Sequence, residues 1–272
     1  MYSPIFLHDK VEKELNRLVA EGTLEPVEVA DWASPIVSIL KPDKVNVRIC
    51  GDFKQTVNPV STLDKYPIPK VEDLFSTLAG GKVFSKIDLS QAYQQLSLAE
   101  ESKQYVVINT HKGLFRYTRL PFGISSAPGI FQYVMENVLQ GSPNVIVYLD
   151  DILLSSATES DHLQLINQVL DRLEKAGLRA RKEKCKFLVS SVTYLSHKID
   201  ADGLHPLPDK IQAIQEASSP ANIQELRAYL GLLTCYSRFL SNMATVLSPS
   251  SYYRNQLLLL LLLLLLLLSI TV

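Results

Sequence analysis

Apolar residues recur along this chain with two different periods, and the changes between them mark its elements. In residues 8–21, Val11, Leu15, Leu18 and Val19 fall on one helical face and Gly22 follows as a stop, which predicts an amphipathic helix. The pattern then shortens. Residues 35–40 and 45–50 are β-rich runs separated by Lys41-Pro42-Asp43-Lys44, a hairpin with a basic turn. Asn58-Pro59 and Tyr66-Pro67-Ile68-Pro69 mark a long loop before a short helix at 71–78, which Gly80-Gly81 stops. Residues 83–88, 105–108 and 115–118 read as strands and 127–139 as a helix. Two apolar runs, 145–150 and 152–154, then meet at a pair of aspartates. Thr158 and Asp161 stand at capping-box spacing ahead of a long helix whose expected buried face is Leu163, Ile166, Leu170 and Leu173, with Gly177 as its stop. A basic segment, 179–186, precedes a β-like pair around 187–189 and 192–195. Beyond Gly203 only helices are expected, at 208–216 and 222–239. Strands interleaved with helices to residue 200, then helices alone, predict an α+β body followed by a helical subdomain.

Composition changes this picture at one end. The 272 residues carry 27 Lys+Arg against 28 Asp+Glu, a net charge of -1, with 47% hydrophobic and 20% charged residues, which excludes a disordered or collagen-like chain. Residues 257–268 are twelve consecutive leucines, and that run alone makes the mean hydropathy positive. With Ser269-Ile270-Thr271-Val272 it falls short of the roughly 20 apolar residues that span a bilayer, so it reads as low-complexity sequence, and no membrane partner is expected. Cys50, Cys185 and Cys235 are odd in number and widely spaced, which argues for a reducing, intracellular compartment and against a disulfide framework or a zinc knuckle. The first residues lack a basic region leading into a long apolar stretch. No signal peptide is expected, and the chain reads as beginning inside a longer gene product. A neutral net charge leaves room for a local basic groove, so a polyanionic partner is neither predicted nor excluded.

The candidate chemistry lies in carboxylates. Asp150 and Asp151 sit at the tip of a hairpin with apolar legs; Asp is a favoured turn residue, so the pair alone requires no function. Asp88 also ends an apolar strand, and strands presenting carboxylates at one sheet edge can hold hard divalent cations through oxygen. At this point the chain resembles the reverse transcriptases of gypsy-like LTR retrotransposons, over residues 12–247. The motifs that carry the resemblance come in family order: Ser34-Pro35; Arg48-Ile49-Cys50-Gly51-Asp52-Phe53; Tyr66-Pro67-Ile68-Pro69; Phe84-Ser85-Lys86-Ile87-Asp88-Leu89 with Tyr93-Gln94-Gln95; Leu120-Pro121-Phe122-Gly123 with Ala127-Pro128 and Phe131-Gln132; Tyr148-Leu149-Asp150-Asp151-Ile152-Leu153; Lys184-Cys185-Lys186-Phe187; and Leu226-Arg227-Ala228-Tyr229-Leu230-Gly231. Each is short; their order and separations carry the weight.

The resemblance implies a right-hand polymerase: residues 1–33 as an N-terminal helix and lead-in, 34–200 as fingers and palm, 201–249 as a partial helical thumb, and 250–272 as the low-complexity tail. It implies RNA-directed DNA synthesis by two Mg²⁺ ions on an RNA or DNA template with a primer, using deoxynucleoside triphosphates. Asp88 and Asp150 would be the principal metal ligands and Asp151, the third family carboxylate, a weaker or transient one. Lys41 and Arg48 would grip the triphosphate, and Tyr93 would stack under the deoxyribose and leave no room for a 2′-hydroxyl. Phe122 and Gln132 would lie beside the nucleotide. Arg179, Arg181, Lys182 and Lys184 would meet nucleic-acid phosphates, although a solvated face explains such a run equally well, and Leu195 and Ser196 would support the primer end.

This sequence departs from the family at three places. Ser196 stands where the family has Gly, which strains the backbone if the position is left-handed; Gln91-Ala92 replaces a common Ser-Gly; and Gln104-Tyr105-Val106-Val107 is atypical. No Asp or Glu follows Glu225, so the acidic cluster of an RNase H is not in this sequence. Two other readings stay open: a catalytically inactive retrotransposon relic that at most binds nucleic acid, and an RNA-dependent RNA polymerase, which Tyr93 disfavours.

Overall fold

The computed structural model of the chain describes residues 5–41, 43–61, 66–69, 71–78, 80–217, 222–235 and 239. The expected tail, 250–272, lies outside them, as do Pro42 of the basic turn and residues 236–238 of the last expected helix. In chain order the elements are α1 (His8–Ala20), β1 (Leu24–Val27), β2 (Ser34–Leu40), β3 (Val47–Gly51), α2 (Val57–Val60), α3 (Val71–Ser76), β4 (Val83–Asp88), α4 (Glu100–Lys103), β5 (Val107–Thr110), β6 (Gly113–Tyr117), α5 (Ala127–Val138), β7 (Val145–Tyr148), β8 (Asp151–Ser156), α6 (Glu159–Lys175), β9 (Lys186–Val189), β10 (Ser191–Tyr194), β11 (His197–Asp200), β12 (Gly203–Pro206), α7 (Pro208–Gln215) and α8 (Ile223–Cys235). They fall into two compact units, residues 1–192 and 193–272.

Among its described residues the first unit holds two sheets. A five-stranded sheet, ordered β1-β6-β5-β2-β3, is antiparallel except where β2 runs parallel to β5. Its core takes Val11, Leu15 and Leu18 from α1, with Ile36, Ile49, Phe53, Ile108 and Tyr117. Gly22 ends α1 in the left-handed region at φ +68, and the amides of Gly22 and Thr23 return to Val19 and Leu18, a closure that a side chain at Gly22 would strain. The second sheet, ordered β7-β8-β4-β9, is wholly antiparallel. Ile87, Ile152 and Leu154 face α5 and α6 and pack with Phe131, Met135, Ile166 and Val169. Strand alternation therefore sends Lys86, Asp88 and Asp151 to the opposite face. In the second unit, β11 and β12 pair antiparallel, and the β10–β11 turn holds Leu195 and Ser196 at φ +45 and +63. Both central residues are left-handed, as in a type I′ hairpin, so Ser196 occupies the backbone that glycine favours.

Three expectations are corrected and one strand is added. The buried face of α6 is His162, Leu165, Ile166, Val169 and Leu173, while Leu163 and Leu170 are exposed at 45% and 37%. The two candidate stripes share Ile166 and Leu173, and the sheet selects the one that brings His162 onto Ser85 and Ser156. The runs 187–189 and 192–195 do not pair with each other: β9 joins β4 and β10 joins β11. Strands continue to Pro206 rather than ending at residue 200. The short strand β1 was not expected; Glu25 and Pro26 interrupt its apolar pattern, and it is held by pairing with β6.

Candidate active site

Asp88 closes β4 and Asp151 opens β8, and they are direct cross-strand partners. The flanking bond from the Leu89 amide to the Asp150 carbonyl, 3.2 Å, makes them a non-hydrogen-bonded pair, the class in which Cα atoms approach to about 4.5 Å. Between Tyr148 and Asp151 only Leu149 and Asp150 remain, so β7 and β8 are joined by a two-residue turn. Leu149 lies at φ +54, where the first central residue of a type II′ turn is normally glycine. Lys86, two residues before Asp88 on the same face, places its ammonium 2.8 Å from the Asp151 carboxylate. Burial nevertheless pushes the Asp151 carboxyl above the usual carboxylate range, against the pull of Lys86 and with Asp150 and Asp88 adding to the rise.

A cleft of about 630 Å³ gathers Asp88 and Asp150 with Lys41, Arg48, Tyr93, Phe122, Arg181 and Lys184. Lys41 and Arg48 reach it from the β2–β3 hairpin, in which Asp43 accepts from the amides of Val45 and Asn46 and shapes the turn. The Arg48 guanidinium lies 5.2 Å from the centre of the Phe122 ring, and Tyr93 packs against both Phe122 and Phe131, at 5.3 and 5.4 Å between centroids. Tyr93 touches both hydrophobic cores, and burial together with the Asp150 charge raises its phenol pKa. Gln91, one of the family departures, is left-handed at φ +52, and Ala92 beside it is buried.

The basic run lies alongside the end of β4. The Arg181 amide donates to the Asp88 carbonyl at 2.8 Å, the Ser90 amide to Arg179 at 2.9 Å, and Lys184 Nζ stands 3.3 Å from Asp88 Oδ2. Arg181 and Lys182 line a neighbouring pocket with Lys41, whereas Arg179 lines a different one with Arg119 and Gln95. Leu195 and Ser196 belong to the second unit. Gln132, expected beside the nucleotide, is fully buried and absent from the cleft lining. Its amide is committed to Leu149 N, Val147 O and Glu136. Sequence reading also gave no role to Lys86 or Gln95. Period-2 alternation does place Lys86 on the Asp88 face. Gln95, whose side chain pins the backbone of Arg179 and Ser90, left no local signal.

Among the described residues no three His, Cys, Asp or Glu side chains form a ready metal cage. The donor set of Asp88 and Asp150 with nearby cations suits a hard divalent ion that takes one or two carboxylates and completes its shell with phosphate and water.

This fold is that of the right-hand polymerases. Residues 39–199, more than half of the chain, match the family model described as reverse transcriptase (RNA-dependent DNA polymerase), and the chain belongs to that family. It is similar to the uncharacterized protein K02A2.6 of Caenorhabditis elegans, 38% identical over 86% of this chain and 18% of that protein. It is also similar to the Retrovirus-related Pol polyprotein from transposon gypsy of Drosophila melanogaster, 32% identical over 89% of this chain and 24% of that polyprotein. The chain thus spans about a fifth of the length of these relatives. Among solved structures, the foamy viral protease-reverse transcriptase in complex with RNA/DNA hybrid matches with a TM-score of 0.79 at 25% identity, covering 92% of this chain and 33% of that one. Its complex with dsDNA matches at 0.76 and 26% identity, covering 83% and 47%. The architecture is the right-hand polymerase fold, and the family is divalent-metal dependent. Among the described residues no helix is long and apolar enough to cross a membrane.

Proposed function

We propose that this chain is the polymerase module of a retrotransposon polyprotein, an RNA-directed DNA polymerase that extends a primer 3′-hydroxyl on an RNA or DNA template with deoxynucleoside triphosphates. Residues 34–200 act as fingers and palm and 201–249 as part of the thumb. The observation that carries this reading is the single cleft lined by Asp88, Asp150, Lys41, Arg48, Tyr93 and Phe122.

Asp88 and Asp150 would hold two Mg²⁺ ions, with Asp151, paired with Lys86, as the third and weaker carboxylate. The chemistry supplied by that pair, when bound, is acidification of the primer hydroxyl and neutralisation of charge on the transferred phosphate. Lys41 and Arg48 orient the triphosphate, with Arg48 pre-positioned by its packing on Phe122. Tyr93, wedged between Phe122 and Phe131, is a rigid floor for the sugar that excludes a 2′-hydroxyl. Arg179, Arg181, Lys182 and Lys184 contact primer or template phosphates, Lys184 from beside Asp88, and the Leu195-Ser196 turn supports the primer end.

Primer extension on an RNA template with Mg²⁺ tests the reading, using Asp150→Asn as the control. Extension by the native chain and none by the variant is expected. A native chain that binds template-primer yet adds no nucleotide would return the protein to the class of inactive relics.

A further inference from the structure

The turn that carries Asp150 is reached from below by three side chains in series. Gln132 lies on α5, fully buried, and its Oε1 accepts the Leu149 amide at 2.7 Å. Its Nε2 donates to the Val147 carbonyl at 2.9 Å and to Glu136 Oε1 at 2.7 Å, one helical turn further along α5. Glu136 Oε2 accepts the hydroxyl of Tyr66, whose ring stands edge-on to Tyr133 at 5.4 Å.

Three features set this series apart from ordinary core packing. Gln132 reads both an acceptor on β7 and a donor in the turn, so it sets the spacing between strand and turn. The residue it grips, Leu149, holds a backbone conformation that a side chain disfavours and that needs outside support. The far end is anchored by Tyr66, distant in sequence, through a carboxylate whose hydrogen bonds are charge-assisted. All three residues belong to the first unit.

We infer that Tyr66, Glu136 and Gln132 are positioning residues, a strut that holds Leu149 left-handed and thereby aims the Asp150 carboxylate into the cleft. The inference rests on the polymerase reading for its kinetic consequences. A positioning role predicts a loss in kcat with an unchanged KM for nucleotide, whereas direct nucleotide contact by Gln132 predicts the reverse.

The test combines single-nucleotide extension kinetics with hydrogen exchange at the Leu149 amide in the full-length chain, for Gln132→Leu, Tyr66→Phe, Glu136→Ala and Glu136→Gln. Gln132→Leu should lower kcat by about tenfold or more, and Tyr66→Phe by about two- to tenfold, the range one hydrogen bond supports. The nucleotide KM should stay within about twofold. Leu149 exchange should quicken in the same order, and Glu136→Gln, which can still accept from Gln132, should recover much of what Glu136→Ala loses. Tyr66→Phe removes one oxygen from a half-buried ring, so it keeps the test open if Gln132→Leu does not fold. The inference is overturned if nucleotide KM rises while kcat holds. It is equally overturned if Tyr66→Phe and Glu136→Ala leave Leu149 exchange at the native rate. Should the native chain extend no primer, the polymerase reading fails separately, and the exchange measurement still decides whether the strut holds the turn.

Discussion

Replacing Gly123 by alanine probes the contact on which the nucleotide side of the cleft is built. Gly123 follows Phe122 at φ +100, and a Cβ added there would lie 2.5 Å from the Gly51 carbonyl oxygen and 3.4 Å from the Phe53 ring. The clashing partner at the shorter distance is a backbone oxygen, so relief requires the 120–123 segment to move away from β3 rather than a side chain to swing aside. Two penalties add. Holding an L-residue at positive φ costs about 1–2 kcal/mol, and forcing extra volume into a tight contact costs about 1–3 kcal/mol. Stiffening the unfolded chain returns about 0.4–1 kcal/mol. A loss of roughly 2–4 kcal/mol is a large share of a typical stability of about 5–15 kcal/mol. Gly22→Ala is the matched control: its φ of +68 is also left-handed, but nothing lies within 4 Å of the added carbon. The unfolded-state gain cancels between the two variants, and their difference isolates the clash, about 1–3 kcal/mol. Urea unfolding followed by the single tryptophan, Trp32, measures it in the first unit. Because Phe122 packs on Tyr93 and under Arg48, Gly123→Ala should also raise the nucleotide KM. If Gly123→Ala is no less stable than Gly22→Ala, the close approach to Gly51 is not what requires glycine here, and the reasoning fails.

Two further outcomes follow from α6. Leu173→Ala should destabilise by about 2–5 kcal/mol, while Leu163→Ala should stay within about 0.5 kcal/mol in the same unfolding assay; equal losses would restore the stripe expected from the sequence. His162 is buried between Ser85 and Ser156, and burial lowers its pKa below the ordinary 6.5, so below that pH the unfolded chain takes a proton that the folded one refuses. Stability should therefore be intact above about pH 6.5 and fall as pH drops beneath it. His111, lowered by burial beside His8, acts in the same sense, so the decisive comparison is His162→Gln, which should flatten part of the slope; an unchanged slope would remove His162 from the account.

Much of the site was legible in the residues because its signals are local. Alternation over residues 83–88 placed Asp88 at a strand end, and two apolar runs meeting at Asp150-Asp151 marked a hairpin tip; both depend only on neighbours within a few positions. The left-handed backbone at Ser196 was foreshadowed only by the resemblance, through the glycine the family carries at that position. Contacts between distant segments were not legible in that way. The strand β1 exists because Leu24 meets Tyr117, and α6 turns its His162 face inward because Ser85 and Ser156 offer hydroxyls there. Gln132 shows the division most sharply. Its motif placed it on the nucleotide side of α5, and the depth at which α5 packs under the second sheet sets its amide beneath Leu149, a contact no local pattern announces. Short-range periodicity determines which face of an element is apolar. Which polar group that face then buries is set by the partners that packing brings to it, because an unsatisfied buried amide or imidazole costs more than a rotated helix.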